Sequence, residues 1–399
     1  MQTRLFKLFI FLFLIIFLAS CTAVVGWKDF GAGKEYYQQS SYNNAIKKFS
    51  ESIKQNPTHW NFYYYRGLAY IKLKKTNFAI RDLTKSLELL PTVDTWYSKL
   101  PKDEWALIYV RRGMLYNEEG VYDLALKDYI QALELDSNCV GAYFYRGITE
   151  EKLNKFSEAL EDYTKAIDLM SYPFSGIGVA EKIRVYLHRA FVYREQNLLQ
   201  LALKDNNQAI NIKGTWEAYL SRSITHTKLG NYDNAITDLD RTIELNPIAG
   251  IAYLLRSDVK QLKNCNLNQV LEDSLSALNV HLIDKKTKQE IYNGIAWILA
   301  TAADDGIRDA KNAIVFAKKS VQIEENFTNL DTLAVALAAT GKFEEAISIE
   351  KKAIDLCKKN HPKYLSIVEN HLDALKNRKE IREECPGLNF VKEYFGLKE

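Results

Sequence analysis

The chain has 399 residues, too many for one small domain, so its length allows two or three domains or an array of repeats. Its 47% apolar content supports a packed core and excludes a disordered chain. The formal charge is +3, and Arg4 and Lys7 at the N-terminus supply part of it. The remaining body is near neutral and lacks the basic footprint that phosphate binding demands, which excludes nucleic acid as the expected partner.

Residues 1–20 have the order of an export signal: a basic start, an apolar run from Leu8 to Leu18, then small residues. The segment Leu18-Ala19-Ser20-Cys21 resembles the lipobox of bacterial lipoprotein precursors. That resemblance implies cleavage before Cys21 and acylation of its thiol and new amino group, palmitate included. The mature chain would then be lipid-anchored in a bacterial cell envelope. The residue after the cysteine, Thr22, is not Asp, which by the sorting rule of enteric lipoproteins implies the outer membrane, facing the periplasm. An uncleaved anchor from Leu8 to Trp27, about 20 residues and long enough to span a bilayer, is the alternative. Either way the basic end stays inside and the rest of the chain is exported.

From residue 27 onward one pattern returns. "RGLAYIKL" at Arg66–Leu73 is similar to an RNA-binding RNP1 strand, but its surroundings recur as "YYYRGLAY", "YVRRGMLY", "YFYRGITE", "YLHRAFVY", "YLSRSITH" and "YLLRSDVK". A column of small residues runs through Gly33, Gly67, Gly113, Gly147, Ala190, Ser223 and Ser257, in steps of 34, 46, 34, 43, 33 and 34. Twelve residues after each of the first six stands Ala45, Ala79, Ala125, Ala159, Ala202 or Ala235; Val270 takes the place in the seventh, and Ala313 and Ala346 continue the column. An RNA-binding strand has no reason to repeat at this interval. The period, the Gly–Tyr spacing of Gly33/Tyr36, Gly67/Tyr70 and Gly113/Tyr116, and the closing Pro57, Pro91 and Pro247 resemble the tetratricopeptide repeat, over residues 27–359.

Each unit holds two apolar-periodic runs joined by a polar turn such as "EEGVY" or "KLGNY". Two such helices cross closely only where a side chain is small, which assigns Gly67 and Ala79 to a crossing. One hairpin cannot bury its apolar face alone, so neighbours must stack. The expected fold is all-α: a tetratricopeptide-type solenoid of about nine helical hairpins plus a C-terminal capping helix. Residues 21–280 would carry about seven repeats, with insertions near 92–104 and 170–182. Residues 281–359 read as two divergent repeats, and 360–399 as a capping helix and tail with Leu365, Val368, Leu372 and Leu375 on one side.

Six units carry an arginine before the small residue and an aspartate on the second run: Arg66/Asp82, Arg112/Asp128, Arg146/Asp162, Arg189/Asp205, Arg222/Asp238 and Arg256/Asp273. The first unit lacks both, with Ala32 and Lys48 in their places, and the last has Leu333 and Ile349. Arginine and aspartate come and go together, so structural ion pairs are expected rather than a free arginine ladder.

Tetratricopeptide stacks usually bind peptides or protein segments on the wall made by the first helices. Carried over unit by unit, the groove positions are Tyr64, Leu68 and Ile71; Val110, Met114 and Asn117; and Phe144, Ile148 and Glu151. They continue as Leu187, Phe191 and Arg194, then Leu220, Ile224 and Thr227. The implied function is a membrane-anchored scaffold or adaptor for protein or peptide partners, in the setting of envelope-complex assembly. Two alternatives stay open: a peptidoglycan-binding lipoprotein using Trp96 and Tyr97, or a regulator of a periplasmic enzyme.

No catalytic constellation stands out, and no enzyme activity, cofactor or metal is expected. "GAGK" at Gly31–Lys34 lacks both the first glycine of a P-loop, Lys28 standing there, and its Ser or Thr, Glu35 standing there. His59, His188, His226, His281, His361 and His371 show no paired spacing, and Asp304-Asp305 reads as a turn or helix cap. Cys139, Cys265, Cys357 and Cys385 form no CxxC or zinc spacing. With Cys357 and Cys385 near the ends of successive helices about 30 Å long, and Cys139 and Cys265 several hairpins apart, no disulfide is expected.

Overall fold

Apolar residues at three- and four-residue spacing become helices throughout. A computed structural model describes residues 26–90, 102–170, 178–280 and 283–396. These contain twenty α-helices and no strand, only an isolated bridge between Ala302 and Glu383. Helices α1 (Trp27–Gln38) and α2 (Tyr42–Gln55) make the first hairpin, and α3 (Trp60–Lys72) and α4 (Thr76–Glu88) the second. Two more follow: α5 (Lys102–Glu118) with α6 (Tyr122–Leu135), and α7 (Val140–Lys152) with α8 (Phe156–Met170). Then come α9 (Val179–Glu195) and α10 (Leu199–Ile212). Four further hairpins are α11 (Trp216–Lys228) with α12 (Tyr232–Leu245), α13 (Gly250–Asn264) with α14 (Leu267–Leu278), α15 (Lys285–Thr301) with α16 (Ala310–Ile323), and α17 (Phe327–Ala338) with α18 (Phe343–Asn360). The chain ends with α19 (Leu365–Lys376) and α20 (Leu388–Phe395). This is the all-α hairpin solenoid that the repeat implies.

The polar turns have one backbone solution. Seven residues after each of the first six small residues the chain takes a left-handed conformation, at Ser40, Lys74, Gly120, Asn154, Asn197 and Gly230. Glycine relieves the steric cost of that φ in only two of these turns, so the turn is set by hairpin packing rather than by residue choice alone.

The small-residue column is explained by what lies opposite. A Cβ built on Gly113 or Gly147 would stand 2.7 Å from the ring of Tyr129 or Tyr163, and on Gly33 2.5 Å from Phe49. These three rings are fully buried, each on the second helix of the same hairpin. The crossing thus seats a large ring, four residues past the alanine, over the glycine. At Gly67 the opposing group is Leu83, 3.2 Å away, with the Ala79 carbonyl at 3.6 Å.

The chain divides into two compact units, residues 1–192 and 193–399, with the boundary inside α9. In the first unit consecutive hairpins join through α2 on α3, α4 on α5 and α6 on α7, burying Phe49, Phe62, Leu83, Ile108 and Phe144. In the second unit each helix from α10 to α19 packs on the next, burying Leu239, Ile295, Leu337 and Leu375. The cap helix α19 packs on α17 and α18 and buries Val368 and Leu375.

One expectation is corrected. Cys265 and Cys385 form a disulfide, with Cα atoms 5.8 Å apart. Cys385 does not sit at the end of a helix. After α19 the chain turns back, and Glu383 donates to the Thr301 carbonyl at 2.7 Å while its own carbonyl accepts from Ala303 at 2.9 Å. Gln261 donates through Nε2 to the Pro386 carbonyl, which brings Cys385 to the left-handed turn at Cys265. Cys139 and Cys357 are buried thiols.

Candidate protein-binding surface

The arginine–aspartate column forms forked ion pairs. Arg66 donates through Nε and Nη2 to the two Asp82 oxygens at 2.6 and 2.9 Å. The same fork joins Arg112 to Asp128, Arg146 to Asp162, Arg222 to Asp238 and Arg256 to Asp273. The aspartates are buried. Arg189 and Asp205 belong to different units; Arg189 donates to Thr164 Oγ1 at 3.0 Å. In the first hairpin the charges are exchanged: Lys48 stands in the aspartate position on α2 and donates to Asp29 of α1 at 2.9 Å.

A third contact was not read from the sequence. The remaining guanidinium nitrogen reaches back to the preceding hairpin: Arg66 to Ser50 and Arg112 to Thr84, both at 3.0 Å, Arg222 to Asn207 at 2.8 Å and Arg256 to Asp240 at 2.6 Å. Each acceptor stands two residues after the previous aspartate position, so the signal was a second polar column offset by two. A tyrosine three residues before the arginine packs on the guanidinium of Arg66, Arg112, Arg146, Arg222 and Arg256, as Tyr63 does on Arg66 and Tyr219 on Arg222, 5.7 and 5.6 Å from the ring centre. Arg66, Arg112, Arg222 and Arg256 therefore each close their own hairpin and fasten it to the one before.

The groove candidates divide by burial. Val110, Asn117, Phe144, Ile148, Arg194 and Thr227 are buried, so they offer no surface to a partner. Phe144 is 0% exposed and packs against Tyr163 and His188; Arg194 donates to Ser221 Oγ at 2.9 Å, and Thr227 to the Ser223 carbonyl. Their positions carry helix-to-helix packing. Tyr64, Leu68, Ile71, Met114, Glu151, Leu187, Leu220 and Ile224 are half-buried and Phe191 is exposed. Glu151 accepts from Tyr163 Oη at 2.7 Å and lies 3.0 Å from His188 Nδ1. The position six before the small residue, which the sequence reading omitted, exposes Leu107 and Ile251.

In the first unit three successive first helices bring Tyr37 (α1), Tyr64 (α3) and Arg111 (α5) together. Burial holds the Tyr64 phenol above its ordinary range, and the Arg111 charge works against that shift. Burial does the same at Tyr37, reinforced by Tyr42 and again opposed by Arg111. Arg111 is exposed and the two tyrosines are half-buried, so an accessible cation lies within electrostatic reach of both phenols. In the second unit the last helix covers part of the chain's first-helix face, at α13. Val391 and Phe395 of α20 share a buried cluster with Leu255 and Val259 of α13, against which Leu220, Ile224 and Leu262 pack.

Two sequence-stated details end elsewhere. Asp304 accepts from the Gly306 amide at 2.8 Å and Asp305 pairs with Arg382 at 2.7 Å; Asp309, not this pair, caps α16. His371, one of the histidines without paired spacing in the sequence, is placed by the fold with Asp331 and Glu350, and Glu350 is 0% exposed. Forty residues separate His371 from Asp331, so no local motif could have marked them. Cys21, Trp96 and Tyr97 lie outside the described residues.

Repeated hairpins with a recurring crossing register define a helical-repeat protein. The chain carries tetratricopeptide repeats: models of that repeat match residues 33–74, 110–172, 217–248 and 330–371. It is 19% identical over 368 residues to a tetratricopeptide-repeat-containing protein of Methanocaldococcus jannaschii, covering 90% of this chain and 57% of that one. It is 30% identical to human tetratricopeptide repeat protein 6 over 36% of this chain and 27% of that one. It is 25% identical to an Hsp70-Hsp90 organising protein of Plasmodium falciparum, over 34% and 23%. The chain thus spans well under two thirds of these relatives' length. A crystal structure of a tetratricopeptide repeat protein from Parabacteroides merdae shares the fold, with a TM-score of 0.50 and 17% identity over 67% of this chain and 97% of that one.

Proposed function

We propose that the protein is a scaffold or adaptor that binds a protein or peptide segment on the first-helix wall of its first unit. The observation that carries this reading is the cluster of Tyr37, Tyr64 and exposed Arg111 on three successive helices. Half-buried aromatics give apolar contact at low entropic cost, and the guanidinium supplies a directional partner for a carboxylate or backbone carbonyl. The chain's similarity to an Hsp70-Hsp90 organising protein supports a role in joining proteins, without carrying over those partners.

The anchoring part of the proposal rests on residues 1–21. Acylation at Cys21, at about 0.8 kcal/mol per buried CH₂, would hold the repeats at a membrane surface. Among the described residues no helix is long and apolar enough to cross a membrane. The test is crosslinking in cells followed by capture of the full chain carrying Tyr64→Ala with Arg111→Glu. The double substitution is expected to abolish the captured partner while the helical signal is kept and the melting temperature falls no further than in Tyr64→Ala alone, which removes the same core packing. Undiminished capture overturns the assignment of this wall. Phe144, fully buried, is unsuitable for that experiment because its removal opens a core cavity.

A further inference from the structure

A carboxylate is tolerated in a packed interior only when a donor or a positive charge faces it. Glu350 of α18 is 0% exposed, and neither of its oxygens meets a hydrogen-bond donor among the described residues. It faces Asp331 of α17 and His371 of α19. One carboxylate oxygen from each acid and one ring nitrogen of the histidine all lie within 4.8 Å of one another. The three helices pack mutually, so the backbone holds these groups in place. His371 Nδ1 stands 2.7 Å from Asp331 Oδ1, and among the described residues no lysine or arginine pairs with either acid. The space is therefore lined by two acids and an imidazole, with one acid left entirely unpartnered.

We propose that Asp331, Glu350 and His371 hold one divalent transition-metal ion, zinc first among them. Two carboxylates and a neutral imidazole balance a dication. Zinc bonds of about 2.0–2.2 Å to oxygen and nitrogen place tetrahedral ligands roughly 3.3–3.5 Å apart. Reaching that spacing requires the His371–Asp331 pair, now 2.7 Å apart, to part slightly and any wider pair, none beyond 4.8 Å, to draw in, which small torsional changes supply. A nitrogen ligand and only three protein groups favour zinc over magnesium or calcium, which prefer all-oxygen shells of six or more. The side chains of Asp331 and His371 are 13% and 16% exposed, which gives an ion a route inward and leaves a fourth position for water. Bound there, the ion would tie the last hairpin to its cap helix.

The competing occupant is a proton shared between Asp331 and Glu350. The test uses the full chain with its disulfide intact, stripped of metal and titrated with zinc alone, then with cobalt(II) as a visible-absorption reporter. One equivalent of zinc is expected, with a cobalt band of tetrahedral intensity and a melting temperature that rises with zinc. Glu350→Gln, close to isosteric, and His371→Ala, at a half-buried position, should each weaken zinc binding by more than about tenfold and remove the zinc-dependent rise. Absence of saturable zinc or cobalt binding to the unaltered chain overturns the proposal. Binding that persists undiminished in both variants also overturns it, by assigning the ion to other surface groups.

Discussion

Arg66 and Asp82 show what one residue can decide. The guanidinium makes a fork to Asp82 and a third bond to Ser50, so it fixes the inside of a hairpin and its seat on the previous one. Removing one partner of a buried pair costs more than the pair itself contributes, because the other charge is stranded. Asp82→Ala should lower unfolding stability by about 3–5 kcal/mol, read from urea unfolding, whereas Arg66→Met combined with Asp82→Leu should recover most of it. Glu150 gives a pH prediction. Burial, followed by the Asp162 charge, pushes its carboxyl from 4.5 up to about 7, and its Oε2 lacks a donor among the described residues. Between those values the folded chain keeps a proton that the unfolded chain releases, so stability falls as pH rises from 4.5 to about 7 and then levels. Melting temperatures across that range should decline in the unaltered chain and decline less in Glu150→Gln.

At the scale of elements, the returning tail carries the largest surprise. The Cys265–Cys385 bond closes a sequence separation of 120 residues, and a loop of that length is stabilised by about 5 kcal/mol in the chain-entropy description. Reduction, or Cys265→Ser, should make residues 377–396 susceptible to limited proteolysis before the helices of the second unit melt. Unchanged protection after reduction would show that Gln261, Thr301 and Ala303 hold the tail without the bond. Hairpins α1–α2 through α7–α8 were legible because each repeats one apolar pattern with one polar turn. The tail was not, because nothing recurs there. Pro386-Gly387 marks a break, but the direction of the chain after a break depends on what it can pack against. The groove fared similarly: Tyr64 and Phe144 occupy equivalent repeat positions, yet one is half-buried and the other sealed, since their neighbours differ.

For the whole molecule, stability is spread over neighbour contacts, and the ends need covers. Residues 365–376 are one such cover, hiding an apolar cluster with Leu330, Ile354 and Cys357. A chain ending at residue 361 should expose that cluster and self-associate, detectable as an increased size in light scattering; a monodisperse product of unaltered mass per chain would contradict it. The sequence by itself determined the helices, their pairing, the small-residue crossings and the near-neutral surface, because all of these follow from local periodicity and composition. Only the tertiary structure decided the disulfide, the seating of α20 on α13 and the meeting of Asp331, Glu350 and His371. Those depend on contacts between residues far apart in the chain, and no period encodes them.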